Sequence, residues 1–170
     1  GPVQVKAQRV AQTKALKWLG DARIEAQQIE LNHAENQFSG VLSIHEAKVA
    51  TLSSQTNLRV DSQSLEDRLT LTAPTIALAG RVDGDLNMHG GQITLGDLAV
   101  FGKSQIQADA LTQTGDVALN ETSIRATTVA LNRSGNDFRS GVVAIATDVK
   151  LADKNDLTLD APGVTGTLGL

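Results

Sequence analysis

Residues 24–38, IEAQQIELNHAENQF, return in the same pattern at residues 124–138, IRATTVALNRSGNDF. Five apolar positions and two Asn recur without a gap, at an offset of 100 residues. With one-residue shifts the match extends in both directions, so that nearly the whole of 5–71 reappears in 106–170. Fixed-period self-similarity indicates a repeat architecture, and this internal duplication is the basis of the fold prediction.

A shorter period lies inside each copy. The pattern apolar-x-small-x-x-apolar recurs with clean neighbours 18 to 20 residues apart, irregularly around 44–71 and vaguely through the Gly-rich 80–100. Alternations such as Leu69-Thr-Leu71 predict short strands with one buried face, and pairs such as Gln27-Gln28 predict bends. A coil of about 19 residues with three strands and three bends is one turn of a parallel β-helix. The sequence therefore predicts an all-β, right-handed parallel β-helix of about nine turns.

The composition agrees with a narrow, layered core. Hydrophobic residues make up 41% of the chain but aromatic residues only 2%, as expected where Val, Ile, Leu and Ala stack on their equivalents. The net charge of −4 and the scattered Lys and Arg argue against nucleic-acid binding. The chain has no Cys, which excludes disulfides and thiolate metal sites. No apolar run approaches the roughly 18 residues of a membrane helix, so membrane insertion is not expected.

The chain is expected to form a single β-helix segment over residues 3–170. The opening Gly1-Pro2 resembles the scar of a cleaved expression tag, which would make the chain an excised fragment. Residues 6–19, KAQRVAQTKALKWL, are rich in helix formers and offer a rival interpretation. The duplicate at 107–119 contains Gly115 and Asp116 and would make a poor helix, so we expect strand in both copies.

Six residues at equivalent repeat positions are predicted to be structural. Asn tolerates a left-handed backbone and can bond to neighbouring turns, so the Asn residues are expected at bends. The Phe residues are expected to plug the core beside those bends. These residues are Asn32, Asn36, Phe38, Asn132, Asn136 and Phe138.

The segment LNRSGNDF at 131–138, followed by Gly141-Val142 and by LADKNDLTL at 151–159, resembles the repeats of filamentous-haemagglutinin-like exoproteins. The resemblance is best over 124–170 and weaker over 24–71. It implies a two-partner-secreted adhesin of Gram-negative bacteria, exported through an outer-membrane transporter to the cell surface or beyond. The secretion domain of that family is not recognisable here, so the resemblance implies a shaft segment.

Several side chains raise chemical alternatives that the patterns do not support. The histidines lack a metal-binding spacing, the Asp clusters lack a calcium-loop spacing, and two glycosylation sequons, at 120–122 and 132–134, are of a kind that arises by chance. Solvated faces and turn formation explain the histidines and acidic residues better. The residues concerned are His33, His45, His89, Asp83, Asp85, Asp148, Asp153, Asn155 and Asp156.

No motif predicts catalysis, so the chain is expected not to be an enzyme and to need no cofactor or metal. The expected role is a rigid spacer of a surface adhesin that also binds a carbohydrate or protein receptor along its flank. One rival is a polymerising cytoskeletal β-helix of the bactofilin type, which Arg81-Val-Asp-Gly-Asp-Leu86 faintly resembles. The other is a β-helix enzyme that degrades polysaccharides with surface carboxylates, such as Glu25 and Asp61.

Overall fold

The computed structural model describes residues 2–170, and the regular structure within them is entirely β-strand. Gly1, half of the predicted tag scar, lies outside the described residues. The described residues contain no helix with the length and hydrophobicity that a bilayer crossing needs. The strands are β1 (Val3–Ala11), β2 (Lys17–Trp18), β3 (Ala22–Leu31), β4 (Gln37–Phe38), β5 (Val41–His45), β6 (Ala47–Ser53), β7 (Asn57–Ser62), β8 (Leu65–Val82), β9 (Asp85–Gln107), β10 (Ala110–Gln113), β11 (Val117–Arg125), β12 (Thr128–Leu131), β13 (Asp137–Ile145), β14 (Asp148–Leu151), β15 (Leu159–Asp160) and β16 (Leu168–Gly169).

Every strand pair in the described residues is parallel, and each turn of the chain pairs with the next. One ladder of register partners runs Val10, Ile29, Ala50, Leu69 and Leu86, in steps of 17 to 21 residues. Neighbouring turns therefore stack at about 4.8 Å, the strand spacing of a sheet. The predicted all-β parallel solenoid of about nine turns is confirmed.

The segment 6–19, with its helix-forming composition, contains no helix, and its ends belong to strands β1 and β2. Residues 3–11 form β1 and pair with β3 in continuous register, from Val3 with Ala22 to Ala11 with Glu30. Pairing with the next turn overrides the local helix propensity, because each strand residue gains backbone bonds that an isolated helix of this length would hold only marginally.

The core is a stack of inward-facing aliphatic side chains. Ile29, Leu52 and Leu71 are completely buried, and the burial pattern alternates along the strands. Two of the few aromatic residues, Phe38 in β4 and Phe138 in β13, are buried beside the bends that precede these strands. Repeating thin layers leave little irregular space to fill, so small branched side chains suffice.

The duplication does not span a whole number of turns. Val10 and its sequence copy Leu111 belong to different ladders of register partners. The ladder of Leu111 runs back through Ile93 and Ile76 to Leu58. The ladder of Val10 runs forward to Leu69, which lies in the same turn as Leu58 but on another face. The ladder of Val10 reaches Leu86 after four steps. Beside Leu86, the chain pairs with the following turn, because the Gly102 amide donates to the Gly84 carbonyl. The second copy is thus displaced by five turns plus one face of the solenoid.

Candidate binding groove

A groove crosses four turns on one face of the solenoid, in two columns of outward side chains. In the first column, Thr70 is the register partner of Asn87, and Gln105 is the register partner of Ser123. The second column lies two residues further along each of the same strands. Strand alternation sends these side chains outward, while Leu71, Met88 and Ile106 between them face the core. The groove has a volume of about 390 Å³ and is lined by Thr70, Thr72, Asn87, His89, Gln105, Gln107, Ser123 and Arg125.

The groove continues around a corner of the solenoid. A second concavity of about 400 Å³ shares Thr72 and His89 with it and adds Gln55, Pro74 and Asp109. Gly91 has no side chain to project from this corner, and a Cβ there would come within 2.9 Å of the Pro74 carbonyl oxygen. Together the two concavities form one continuous surface, which we call the polar groove.

Uncharged hydrogen-bonding groups dominate the polar groove. Hydroxyls and amides repeat along it at the strand spacing of about 4.8 Å, with carboxylate and guanidinium groups only at Asp109 and Arg125. Such a surface can bind an extended chain that offers hydroxyl or amide groups at regular intervals. Sequence reasoning missed the polar groove, because its columns combine residues from four turns.

The three histidines occupy separate structural positions. His33 lies in the bend after β3, where its Nδ1 accepts a hydrogen bond from the Glu35 amide (3.2 Å). His45 ends β5, and His89 lies in the polar groove. Within residues 2–170, no three His, Asp or Glu side chains converge to hold a metal ion.

The acidic residues weighed as calcium ligands are engaged in turn capping and ion pairing. Asp85 Oδ1 accepts a hydrogen bond from the Lys103 amide (2.9 Å), and Asp148 Oδ1 accepts one from the Thr167 amide (2.8 Å). Asp153 Oδ1 accepts one from the amide two residues on (3.3 Å). Asp83 pairs with the Arg81 guanidinium (2.6 Å).

Asn36 is completely buried and forms a reciprocal amide pair with Gln12 of the preceding turn. Asn36 Nδ2 donates to Gln12 Oε1, and Gln12 Nε2 donates to Asn36 Oδ1, both at 2.8 Å. The same Asn accepts from the Leu16 amide (2.8 Å) and donates to the Leu31 carbonyl (3.0 Å). The Gln–Asn pair therefore fastens one bend to the bend of the turn before it.

The second copy repeats the pair with Asn136 and Gln113. The two side chains exchange hydrogen bonds of 2.9 and 2.8 Å, while Asn136 also accepts from the Val117 amide (3.0 Å) and donates to the Leu131 carbonyl (2.9 Å). Because of the one-face displacement, the two Gln–Asn pairs lie at different corners of the solenoid. Both Gln residues align in the duplication, so that recurrence was the sequence signal for their role.

The other predicted bend residues are divided between surface and core. Asn32 and Asn132 are exposed directly after β3 and β12, whereas Phe38 and Phe138 are buried. None of the four Asn has a left-handed backbone; among the described non-glycine residues that conformation occurs at Glu46, Glu121 and Ser140. Asn36 and Asn136 thus act at their bends through side-chain amides.

The two glycosylation sequons differ in accessibility. In the first, Thr122 is buried and Asn120 Nδ2 donates to the Phe101 carbonyl (2.9 Å). In the second, Asn132 and Ser134 are both exposed in a bend.

Comparison with known proteins found one family. A family described as repeats of unknown function matches residues 1–45 and 83–145. Each matched segment contains one complete Gln–Asn pair. No curated protein and no solved structure matches the chain.

Proposed function

The chain belongs to the family of repeats of unknown function (DUF5649), and we propose that it is a structural and adhesive shaft segment of a large secreted bacterial surface protein. The observation that carries this proposal is the unbroken parallel pairing of successive turns from β1 to β16.

Such pairing makes a stiff rod. Each turn bonds to the turn before and the turn after, so bending the rod would break ladder bonds on one face. About nine turns give a length on the order of 40 Å. A rod of this kind holds whatever lies at its far end away from the cell, and its length grows with the number of turns.

The polar groove gives the shaft a binding surface of its own. Its regular hydroxyls and amides suit a glycan or an extended peptide of a host cell, a matrix or another bacterium. Nothing in this role requires catalysis, and we propose that the segment is not an enzyme.

We further propose export through an outer-membrane transporter to the exterior of a Gram-negative cell. The support is the resemblance of residues 124–170 to filamentous-haemagglutinin-like repeats, together with a parallel solenoid that can assemble turn by turn as a chain emerges.

Antibodies raised against the purified chain test this placement on intact and permeabilised cells of the native host. Labelling of intact cells, lost after external protease treatment, is expected. Labelling only after permeabilisation would reject the adhesin proposal and favour a cytoplasmic β-helix. Electron microscopy of the purified chain would then show whether it forms filaments without nucleotide, as a bactofilin-like polymer would.

The polar groove is tested with a glycan and peptide array. The variant Asn87→Ala/Gln105→Ala removes two central amides and is expected to abolish the binding of glycans or peptides that the polar groove holds. Thr94→Ala/Thr112→Ala is the matched control, since these threonines form an outward pair on another face. Equal binding by both variants would exclude the polar groove as the adhesive surface, and cleavage of any glycan would favour the enzyme alternative.

A further inference from the structure

The polar groove repeats its hydrogen-bonding groups at a fixed spacing along the solenoid axis. The first column consists of Thr70, Asn87, Gln105 and Ser123, which belong to four successive turns. Successive turns lie about 4.8 Å apart, so the column extends over about 14 Å. A ligand that contacts the whole column must therefore present its own groups at a multiple of the turn spacing.

The side chains of this column are not used inside the protein. Among residues 2–170, none of them forms a side-chain hydrogen bond with another residue. The amides of Asn87 and Gln105 each offer donors and an acceptor side by side. The chain itself shows how such groups pair, because Gln113 and Asn136 exchange hydrogen bonds of 2.8 and 2.9 Å. A free side-chain amide can hold the N–H and C=O of one extended peptide residue in the same way.

The turn spacing distinguishes between the conformations that a bound peptide can adopt. In polyproline II, equivalent residues recur after three residues of about 3.1 Å each, which is about 9.3 Å. Two turns of the solenoid extend over about 9.6 Å, so equivalent residues of such a peptide meet every second turn. In a β-strand, residues on one side recur at about 6.7 Å and lose register with the turns. An α-helix bonds its backbone amides internally and has none to offer.

We propose that the polar groove binds a peptide segment in the polyproline II conformation, with its long axis along the solenoid. The inference rests on the proposed function, since it names the ligand of the same groove. The N–H and C=O groups of every third peptide residue would meet Asn87 and Ser123, or Thr70 and Gln105 one turn earlier. Polyproline II has no internal hydrogen bonds and is already extended, so its backbone groups are available and little conformational entropy is lost on binding.

The side chains that line the polar groove also define what the peptide must contain. They include no aromatic ring, so the groove cannot hold proline rings as aromatic-lined grooves do. Recognition must then come from backbone N–H and C=O groups, and proline has no N–H. The ligand therefore needs a residue other than proline at every third position.

Fluorescence anisotropy with labelled twelve-residue peptides tests the proposal on the purified chain. Four repeats of Ala-Pro-Pro place backbone N–H groups on one side of the peptide about every 9.3 Å. Six repeats of Ala-Pro adopt the same conformation and carry more N–H groups, but those on one side recur only about every 18.6 Å. Saturable binding of the Ala-Pro-Pro peptide is expected, at least about tenfold tighter than that of the Ala-Pro peptide. A peptide of twelve consecutive prolines is expected not to bind.

Variants of the chain locate the binding. Asn87→Ala/Gln105→Ala removes one amide from each of the two possible alignments and is expected to weaken binding of the Ala-Pro-Pro peptide at least about tenfold. Thr94→Ala/Thr112→Ala, on another face, is the matched control and is expected to leave the affinity unchanged. Circular dichroism melting verifies that each variant is folded before the titration.

The proposal is overturned if the Ala-Pro peptide binds as tightly as the Ala-Pro-Pro peptide, or if both variants bind the Ala-Pro-Pro peptide equally well. It is also overturned if the chain binds a neutral glycan such as cellohexaose, with loss in Asn87→Ala/Gln105→Ala, but binds none of the peptides. That result would leave the polar groove as an adhesive surface with a different ligand. Binding of neither peptides nor glycans would overturn both the peptide proposal and the adhesive role of the groove.

Discussion

Replacement of Asn136 by Ala should strongly destabilise the solenoid, because the side chain makes four hydrogen bonds in a buried bend. It exchanges two with Gln113, accepts one from the Val117 amide and donates one to the Leu131 carbonyl. At about 1 kcal/mol for each neutral hydrogen bond, with an added cost for the Val117 amide left buried and unpaired, the expected loss is about 3–5 kcal/mol. Urea unfolding followed by far-UV circular dichroism measures the change in the free energy of unfolding.

Asn132→Ala is the matched control, since it alters an exposed Asn of the same bend and should change stability by less than about 0.5 kcal/mol. The double variant Gln113→Ala/Asn136→Ala should lose less than the sum of the single variants, because the two side chains share their bonds. A loss below about 1 kcal/mol for Asn136→Ala, or additive single effects, would refute the structural role of the Gln–Asn pair.

Three further changes probe other parts of the structure. Thr122→Val should raise the melting temperature, because the hydroxyls of Thr122 and of its register partner Ser104 are buried without hydrogen-bond partners. Scanning calorimetry measures the change, and a fall in the melting temperature would show that the hydroxyls are hydrogen-bonded. Gly80→Ala should destabilise by more than about 2 kcal/mol, because φ is +105° and a Cβ would overlap the Ser62 carbonyl oxygen, whereas Gly20→Ala meets open space and should be neutral. Burial raises the pKa of Asp137, but hydrogen bonds from Lys154 and Arg139 outweigh it and leave the pKa below its ordinary value of 3.8. The stability from this lowered pKa is present above pH 3.8 and is lost as the pH falls through the folded-state pKa, so Asp137→Asn should flatten the acid limb of the stability curve; an unchanged limb would contradict the pairing.

The sequence predicted the solenoid because its evidence is local: alternation marks strands, and recurrence of the bend residues marks turns. The vague region at 80–100 proves to span the end of β8 and most of β9, two long strands that turn corners without a loop. Strands that bend continuously need no Asn-rich loops, so the pattern that marks a turn elsewhere is missing there. The periodicity was obscured where the pairing is most continuous.

The candidate binding surfaces could not be predicted because they join residues from turns far apart in sequence. Thr70 and Ser123 line the polar groove from turns that are three apart, and the sequence does not show that they share a column. The partner of Asn36 was visible as a recurring Gln, but the sequence offers no measure of which bends face each other. Both failures concern the angular position of a residue around the solenoid axis, which turn length alone leaves undefined.

That angular position also separates the outer surfaces of the two sequence copies. Lys6 and Glu25 of the first copy correspond to Gln107 and Arg125 of the second, and both sets are register partners on adjacent strands. In the first copy a 2.6 Å ion pair joins the two side chains, and the hydrogen bond from Lys6 lowers the pKa of Glu25. In the second copy the same positions lie one face further around and line the polar groove. Ile24, Ile29 and Leu31 and their copies Ile124, Val129 and Leu131 are all buried, so the outer surfaces of these two segments are free to diverge without disturbing the core. A solenoid built this way can present different outer surfaces on different faces while the pairing between its turns is kept.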